Sequence, residues 1–515
     1  MLYHKREEVV LVNPRLNSIN SNSSFNCYRL KCNEFTANFP LGLIYLASYL
    51  LKNGHKVRII DAEKVSKSES FREIQDSLPN ALVIGITVMT PALPYALELS
   101  EFVKHNAKTV PVVWGGIHPT LFPDETVKDD FIDFIVVGEG EVPFNNLITC
   151  LKSCDYKGIQ EIPNLIAKNK TISRLREMFY DLEKPLKGYT RSSVNERLDK
   201  YSLQKNDMSI IQAYQLLDFE NYINVLHADG TVQKTLEIIS SRGCPYHCSF
   251  CINSILNRGS WKPEPVDKLI QNINVLVNKY SITHLFFMDE LFFFKINRAV
   301  EIIKGINELN ITWEANIRAD FLRKEFISDG MLRFFKQAGC KTLRIGAESG
   351  SLRILRLLKK NISPRDILDA LERCTHFGIL CNFSFMIAIP GETKEDMRKT
   401  MNLIEKILEI EPKTEIIGPQ PFRPYPGSFL FNKLVDQKVF EIPDSPQAWL
   451  KSPLLANLSY LNIVTGKFDR DTVNYLYELG YSLGYDINNL KRKNLCEIDR
   501  AGRRFQKLKN RGHLY

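Results

Sequence analysis

Short apolar runs alternate with amphipathic stretches along the first 150 residues. Val9–Val12, Val57–Ile60, Leu82–Ile86, Val112–Trp114 and Phe134–Val137 are continuous runs bounded by turn residues. Continuous runs suit strands of a parallel sheet covered on both faces, where no side chain meets water. Between them, Leu41–Lys52 and Ala92–Lys104 repeat their apolar positions at helical spacing. The pattern predicts a doubly wound α/β domain over residues 1–150. Its binding edge should lie where the strands end, in the small polar loops Thr87–Thr90, Gly115–Pro119 and Gly138–Glu141.

Residues 151–230 are more polar and less periodic, and read as a linker. From Thr235 the alternation restarts. Leu236–Ser240, His284–Met288, Thr312–Asn316, Thr342–Ala347, Cys381–Ile387 and Glu415–Gly418 are strand candidates, each followed by room for one helix. Six such units over residues 231–435 predict a partial (β/α)6 barrel with chemistry at the carboxyl ends of its strands. Residues 436–515 read as a small, mainly helical C-terminal module, with Asp471–Tyr485 its clearest helix.

Candidate chemistry sits where that rule puts it. Directly after the first barrel strand runs Cys244-Pro-Tyr-His-Cys248-Ser-Phe-Cys251, a C-x3-C-x2-C spacing preceded by Arg242-Gly243. Three thiolates on one tight loop can hold three corners of an iron–sulfur cube. A structural zinc site wants four protein ligands, and no second pair follows nearby. Three ligands leave one iron open to a small molecule. The run is the signature of the radical S-adenosylmethionine (SAM) enzymes, which the chain resembles; Phe250 supplies the aromatic residue usual before the last cysteine. The resemblance implies a 4Fe–4S cluster on Cys244, Cys248 and Cys251, with SAM on the open iron.

The N-terminal loops extend the resemblance. Pro40–Ala47, Gly115-Gly116-Ile117-His118-Pro119 and Val137-Gly138-Glu139-Gly140-Glu141 look like the cobalamin-binding domain that precedes many radical SAM cores. By that match Thr87, Thr90, Gly115, Gly116, His118, Gly138, Glu139 and Gly140 are cofactor-binding candidates. The D-x-H-x-x-G run that supplies a cobalt-ligating histidine elsewhere is absent. His118 is therefore read as a hydrogen-bonded loop residue rather than a cobalt ligand.

In the barrel, Asp289-Glu290 after the second strand is either a helix-start signal or an anchor for a cation; the resemblance brings this position near the SAM amino group. Arg318 either clamps a carboxylate ligand or forms a structural ion pair. Arg344-Ile-Gly-Ala-Glu348-Ser-Gly and the following Lys360 resemble a run in which an acid and a base meet SAM. Thr393, three residues before Asp396, reads as a helix cap.

Composition sets the remaining bounds. The 515 residues are 44% hydrophobic and 25% charged, ordinary for a globular chain of several domains. No apolar run is long enough for a membrane span, and the start carries no signal core, so a cytoplasmic location is expected. The 11 cysteines are odd in number and scattered outside the run, which is no disulfide framework. The net charge of +9 is partly a basic tail from Lys491 to Arg511. With only Phe505 interleaved, that tail reads as a solvated helix face and not a nucleic-acid site. What the resemblance implies is a cobalamin-dependent C-methyltransferase that attacks an unactivated carbon through a 5′-deoxyadenosyl radical. An external electron donor such as flavodoxin or ferredoxin would feed it. The same scaffold also serves oxidative cyclases and carbon–carbon coupling enzymes of tetrapyrrole or lipid pathways; a non-catalytic cluster protein is the remaining alternative.

Overall fold

The computed structural model describes residues 6–16, 39–168, 209–226, 232–257 and 259–452. Cys27, Cys32 and Cys496, the basic tail and the expected helix 471–485 lie outside the described residues. The chain divides into two units, residues 1–222 with 442–457, and residues 223–441 with 458–515.

The first unit is built on β1 (Glu8–Asn13), β2 (Lys56–Asp61), β3 (Ala81–Thr87), β4 (Val112–Gly115), β5 (Phe134–Val136) and β6 (Leu165–Ala167), in the spatial order β2-β1-β3-β4-β5-β6. The first five are parallel and β6 runs antiparallel to β5. Val9–Val12, central in the sheet, are wholly buried, as continuous apolar runs require. Helices Leu41–Lys52, Lys67–Ser77 and Leu93–Asn106 make the crossovers. Trp114 donates to Ser100 Oγ at 2.9 Å, and Asp133 pairs with Lys104 while accepting the Val112 N–H at 2.8 Å.

This unit runs on past the expected boundary at residue 150. Part of the segment read as a linker belongs to it. Leu165–Ala167 extends the sheet as β6, and Ser209–Tyr214 packs on Leu41–Lys52. Phe39, Tyr214, Phe219 and Tyr222 form an aromatic cluster with ring centroids 4.8–5.1 Å apart. The Tyr222 hydroxyl donates to Asp61 at 2.6 Å. Helix Pro446–Lys451, expected in a module closing the barrel, lies in this unit against Leu93–Asn106.

The second unit holds β7 (Asn224–Leu226), β8 (Val232–Ile238), the short pair β9 (Ser241–Arg242) and β10 (Lys262–Pro263), β11 (His284–Phe287), β12 (Thr312–Ile317), β13 (Cys340–Glu348), β14 (Leu380–Ile387) and β15 (Glu415–Pro421). Its main sheet runs β15-β14-β13-β12-β11-β8-β7. The six strands from β8 to β15 are parallel, each joined to the next by a crossover, and β7 adds an antiparallel edge. This is the six-stranded half-barrel. One face is closed by Leu236, Ile238, Leu285, Phe287, Trp313 and Ala315, all at most 3% exposed. Full capping boxes start helices Pro364–His376 at Ser363 and Lys394–Ile410 at Thr393, so Thr393 is the cap its spacing indicated.

Among the described residues no helix is long and apolar enough to cross a membrane.

Candidate cofactor sites at the strand ends

The cysteine loop leaves the sheet at Ile238 and returns through the β9–β10 pairing, Ser241 opposite Pro263 and Arg242 opposite Lys262. Its first turn needs Gly243, with φ of 91°, because a Cβ there would run into the Ser260 carbonyl. Cys248 is buried, while Cys244 and Cys251 are half-buried. The Cys251 N–H donates to the Cys248 carbonyl at 3.0 Å, and Ser249 ties the loop down on three sides. Its N–H donates to Leu358 O, its hydroxyl to Leu357 O, and its carbonyl accepts from Leu430 N–H, each at 2.9 Å.

Asp289 and Glu290 hold the loop's entrance. The Asp289 carboxylate accepts from the Ser240 N–H and hydroxyl, both at 2.7 Å, and from the Ser241 hydroxyl. Burial pushes this carboxyl up, and those hydrogen bonds pull it back. Glu290 accepts from the Gly243 N–H at 3.0 Å. Both acids therefore act here as backbone anchors for the loop. Arg298, which no sequence signal marks, donates to Ser240 O and Glu264 O at 2.8 Å and to Ser240 Oγ at 3.1 Å.

Arg318 makes the ion pair that is one of its two readings. It is bidentate to Asp320 at 2.9 and 3.1 Å, and its guanidinium lies 3.9 Å from the Tyr246 ring centroid in the cysteine loop. It also donates to the Lys360 carbonyl at 2.5 Å. Lys360 and Glu348 do meet: Nζ donates to Oε1 at 2.8 Å, both groups buried. Burial pushes Lys360 down, but the charges of Glu348 and Cys248 outweigh it and hold the amine above its usual range. Nζ stands 5.9 Å from the Phe250 ring centroid. Glu348 takes a left-handed φ of 63°, a strained setting for a non-glycine residue. The pair depends on Gly346, whose added Cβ would stand 2.7 Å from Lys360 Nζ and closer still to Glu348.

This donor set fits a cluster. Among the described residues no three His, Cys, Asp or Glu groups converge on one metal ion. The thiols of a cube each take a separate iron, so convergence on one point is not required of them. Two buried cations, Arg318 and Lys360, answer the negative charge the thiolates bring.

The first unit's edge is a cradle of small residues. Gly116, φ 95°, approaches Thr87 Oγ1 and the Val88 N–H so closely that a Cβ would sit 2.9 Å from each. Gly138, φ 83°, has open space beside it, and its N–H donates to Thr120 Oγ1 at 2.9 Å. Gly115 and Gly140 have no closer neighbour than 3.9 Å at the missing Cβ, and Glu139 is half-buried. Bare backbone at a parallel sheet's carboxyl edge suits a large flat ligand such as a corrin. His118 is wholly buried. Its Nδ1 meets Thr90 Oγ1 at 3.2 Å, and it packs edge-on to Trp449 with centroids 5.3 Å apart. Burial lowers its pKa to about 3, and its Nε2 has no protein partner.

Glu392 stands just before the capping Thr393. It is 2% exposed, takes the Ile389 N–H at 3.0 Å, and burial pushes its carboxyl up to about 8.

Comparison with known proteins assigns the two units. The Radical SAM superfamily model matches residues 238–404 and the B12 binding domain model residues 37–148. An uncharacterized methyltransferase of Pyrococcus horikoshii is 31% identical over 402 residues, covering 77% of this chain and 78% of that protein. The anaerobic magnesium-protoporphyrin IX monomethyl ester cyclase of Rubrivivax gelatinosus is 25% identical over 79% of this chain and 69% of its own. The fold matches the methyltransferase TsrM of Kitasatospora setae, solved with cobalamin and a 4Fe–4S cluster, at a TM-score of 0.61 and 17% identity over 85% of this chain and 80% of that one. The three-thiol loop, the glycine-lined edge and these matches together show that the chain belongs to the cobalamin-dependent radical SAM enzymes, with a 4Fe–4S cluster, SAM and cobalamin as its cofactors.

Proposed function

We propose that the protein is a C-methyltransferase acting on an unactivated carbon. The observation that carries the reading is the loop of Cys244, Cys248 and Cys251 in a chain that also has a cobalamin-type unit. When bound, the cluster and SAM supply a reductive bond cleavage and cobalamin a methyl carrier. The chain's own part is holding and shielding. Cys244, Cys248 and Cys251 are the cluster ligands. Asp289 and Glu290, through the backbone of residues 240–243, fix where the loop sits. The Lys360–Glu348 pair and Arg318 offer charge and hydrogen bonds beside Phe250, where the SAM amino-acid group is read to lie. Gly115, Gly116, Gly138 and Gly140, with Thr87, Thr90 and Glu139, receive the corrin side. His118, neutral and packed under Trp449, shapes that edge without ligating cobalt.

The test uses methyl-labelled SAM, a reductant and candidate acceptors under anaerobic conditions. Methyl transfer requires labelled product, with S-adenosylhomocysteine formed alongside 5′-deoxyadenosine. Unlabelled product with 5′-deoxyadenosine as the sole nucleoside product rejects methyl transfer and favours a cyclase, the activity named for the Rubrivivax gelatinosus relative.

A further inference from the structure

Two short helices back the cysteine loop, and their outward faces carry a patch outside the cofactor sites. Ser249, the residue after Cys248, is the join. Its N–H and hydroxyl donate to Leu358 O and Leu357 O at the end of helix Leu352–Leu357, and its carbonyl accepts from the Leu430 N–H in helix Phe429–Asp436. Each helix turns one face to the core, Ile354 and Leu355 on the first, Leu430, Phe431 and Leu434 on the second. Residues four apart share a helix face. The outward pairs are Leu352 with Arg356 and Phe429 with Lys433, all exposed.

Lys359 closes the patch. It takes a left-handed φ of 52°, a turn that sends two consecutive lysines opposite ways. Lys360 goes inward to Glu348, while Lys359 stays exposed with its Nζ 4.6 Å from the Phe429 ring centroid. Among the described residues Arg356, Lys359 and Lys433 form no ion pair. Little opposing charge offsets them. Residues 242–263, 349–361 and 422–435, the stretches that meet at Ser249, hold no aspartate or glutamate. Asp436, last in its helix, is the one acid on either helix. On the adjoining helix Lys394–Ile410, Asp396 is taken up by Arg353 and Ser351, and Glu395 by Arg398 and Lys399.

Exposed apolar side chains, Phe429 at 53% and Leu352 at 41%, thus sit among unpaired cations one residue away from a cluster ligand. An aromatic centre with a charged rim is the make-up of a protein interface, and a positive field steers a negative partner into contact. A nucleic-acid strand wants a basic groove that tracks its backbone, whereas this is a compact spot. Reductive cleavage of SAM consumes one electron each time, and that electron reaches the cluster from another molecule. Electron transfer weakens steeply with distance, so the donor must sit close to the cluster, and small contacts suffice for such brief encounters.

We propose that this patch docks an acidic one-electron carrier protein, which passes its electron to the 4Fe–4S cluster across the backing of Ser249. The carrier is oxidised by one electron, the cluster is reduced by one, and no bond or proton moves in that step. The proposal rests on the cluster at Cys244, Cys248 and Cys251 and is independent of the choice between methyl transfer and cyclisation.

The test compares two reductants on the full-length chain carrying its cluster. One is flavodoxin hydroquinone, an acidic protein; the other is photoreduced 5-deazariboflavin, small and uncharged. The rate is read from the growth of the reduced cluster's spin-resonance signal after anaerobic mixing. In the wild type the flavodoxin rate should fall as salt rises. Arg356→Glu with Lys359→Glu should lower it about ten-fold or more and leave the deazariboflavin rate unchanged. Arg356→Lys with Lys359→Arg, which keeps the charges, should keep the wild-type rate. Lys433→Glu, on the other helix, should slow flavodoxin alone, and it decides the matter if the double variant loses both rates. A wild-type flavodoxin rate in the charge-reversed variants, a rate indifferent to salt, or no reduction by flavodoxin where deazariboflavin succeeds overturns the proposal. So does a polyuridylate strand that binds the wild type and is lost from the double variant while the flavodoxin rate holds, which assigns the patch to nucleic acid. SAM cleavage to 5′-deoxyadenosine with deazariboflavin is measured alongside. Its absence counts against the functional reading, while docking is decided by the ratio of the two reduction rates.

Discussion

Glu392 shows how burial turns one carboxyl into a pH-sensitive load on the fold. Its folded pKa of about 8 lies above the ordinary value of 4.5, so between those values the folded state holds a proton that the unfolded chain releases. Stability must therefore fall as pH rises through that window, with a slope of at most about 1.4 kcal/mol per pH unit. Glu392→Gln should flatten the decline, measured as denaturant midpoint against pH; an unchanged slope would place the titration elsewhere. His118 works in the other direction. Its folded pKa of about 3 lies below the ordinary 6.5, so its stabilising neutrality is lost as pH falls from there. Neither effect was legible in the sequence. Glu392 adjoins a true helix cap, Thr393, which hides it, and the depth of His118 depends on Trp449, more than three hundred positions away. Gly346 makes a third case at this scale. Gly346→Ala forces a methyl into the Lys360–Glu348 contact, and the rate of 5′-deoxyadenosine formation should drop about ten-fold or more while iron and sulfide content stay at wild-type levels. A wild-type rate would mean that the pair moves aside without consequence.

At the scale of elements, the cysteine loop is held chiefly by residues outside it. Ser240, Asp289 and Arg298 come from three successive stretches of the barrel, and their hydrogen bonds join the end of β8 to the turn after β11 and the helix Ile296–Ile306. Arg298→Met removes three of them at once. Hydrogen bonds to a charged group contribute about 1.5–3 kcal/mol each where buried, so the variant should reconstitute with less iron and show a lower melting temperature. Equal iron loading would make the Asp289 anchor sufficient alone. Spacing made the three cysteines readable because their ligands are local in sequence. The supports are long-range contacts between unremarkable residues, and spacing carries no trace of them. The strands follow the same division. Long continuous runs such as Val9–Val12 announced the parallel strands, whereas β6 and β7 are three-residue antiparallel edges, too short for any period to show.

For the whole molecule, the helix Pro446–Lys451 is a test of how the units are partitioned. Trp449 is wholly buried against His118 and Phe122, at centroid distances of 5.3 and 4.9 Å, and Gln447 bonds Asp129. Trp449→Ala should cost about 3–5 kcal/mol and lower cobalamin uptake while leaving the cluster's iron content unchanged. Loss of iron with intact cobalamin binding would assign the helix to the barrel instead.

A unit made of residues 1–222 and 442–457 is interrupted by the entire half-barrel. The ribosome therefore delivers the first five parallel strands long before the tryptophan that covers their binding edge. During synthesis, domains tend to fold in the order in which they emerge, yet here the earliest sheet waits, with His118 uncovered, until more than two hundred further residues have been made. Corrinoid offered at that stage would meet His118 before Trp449 has been made to cover it.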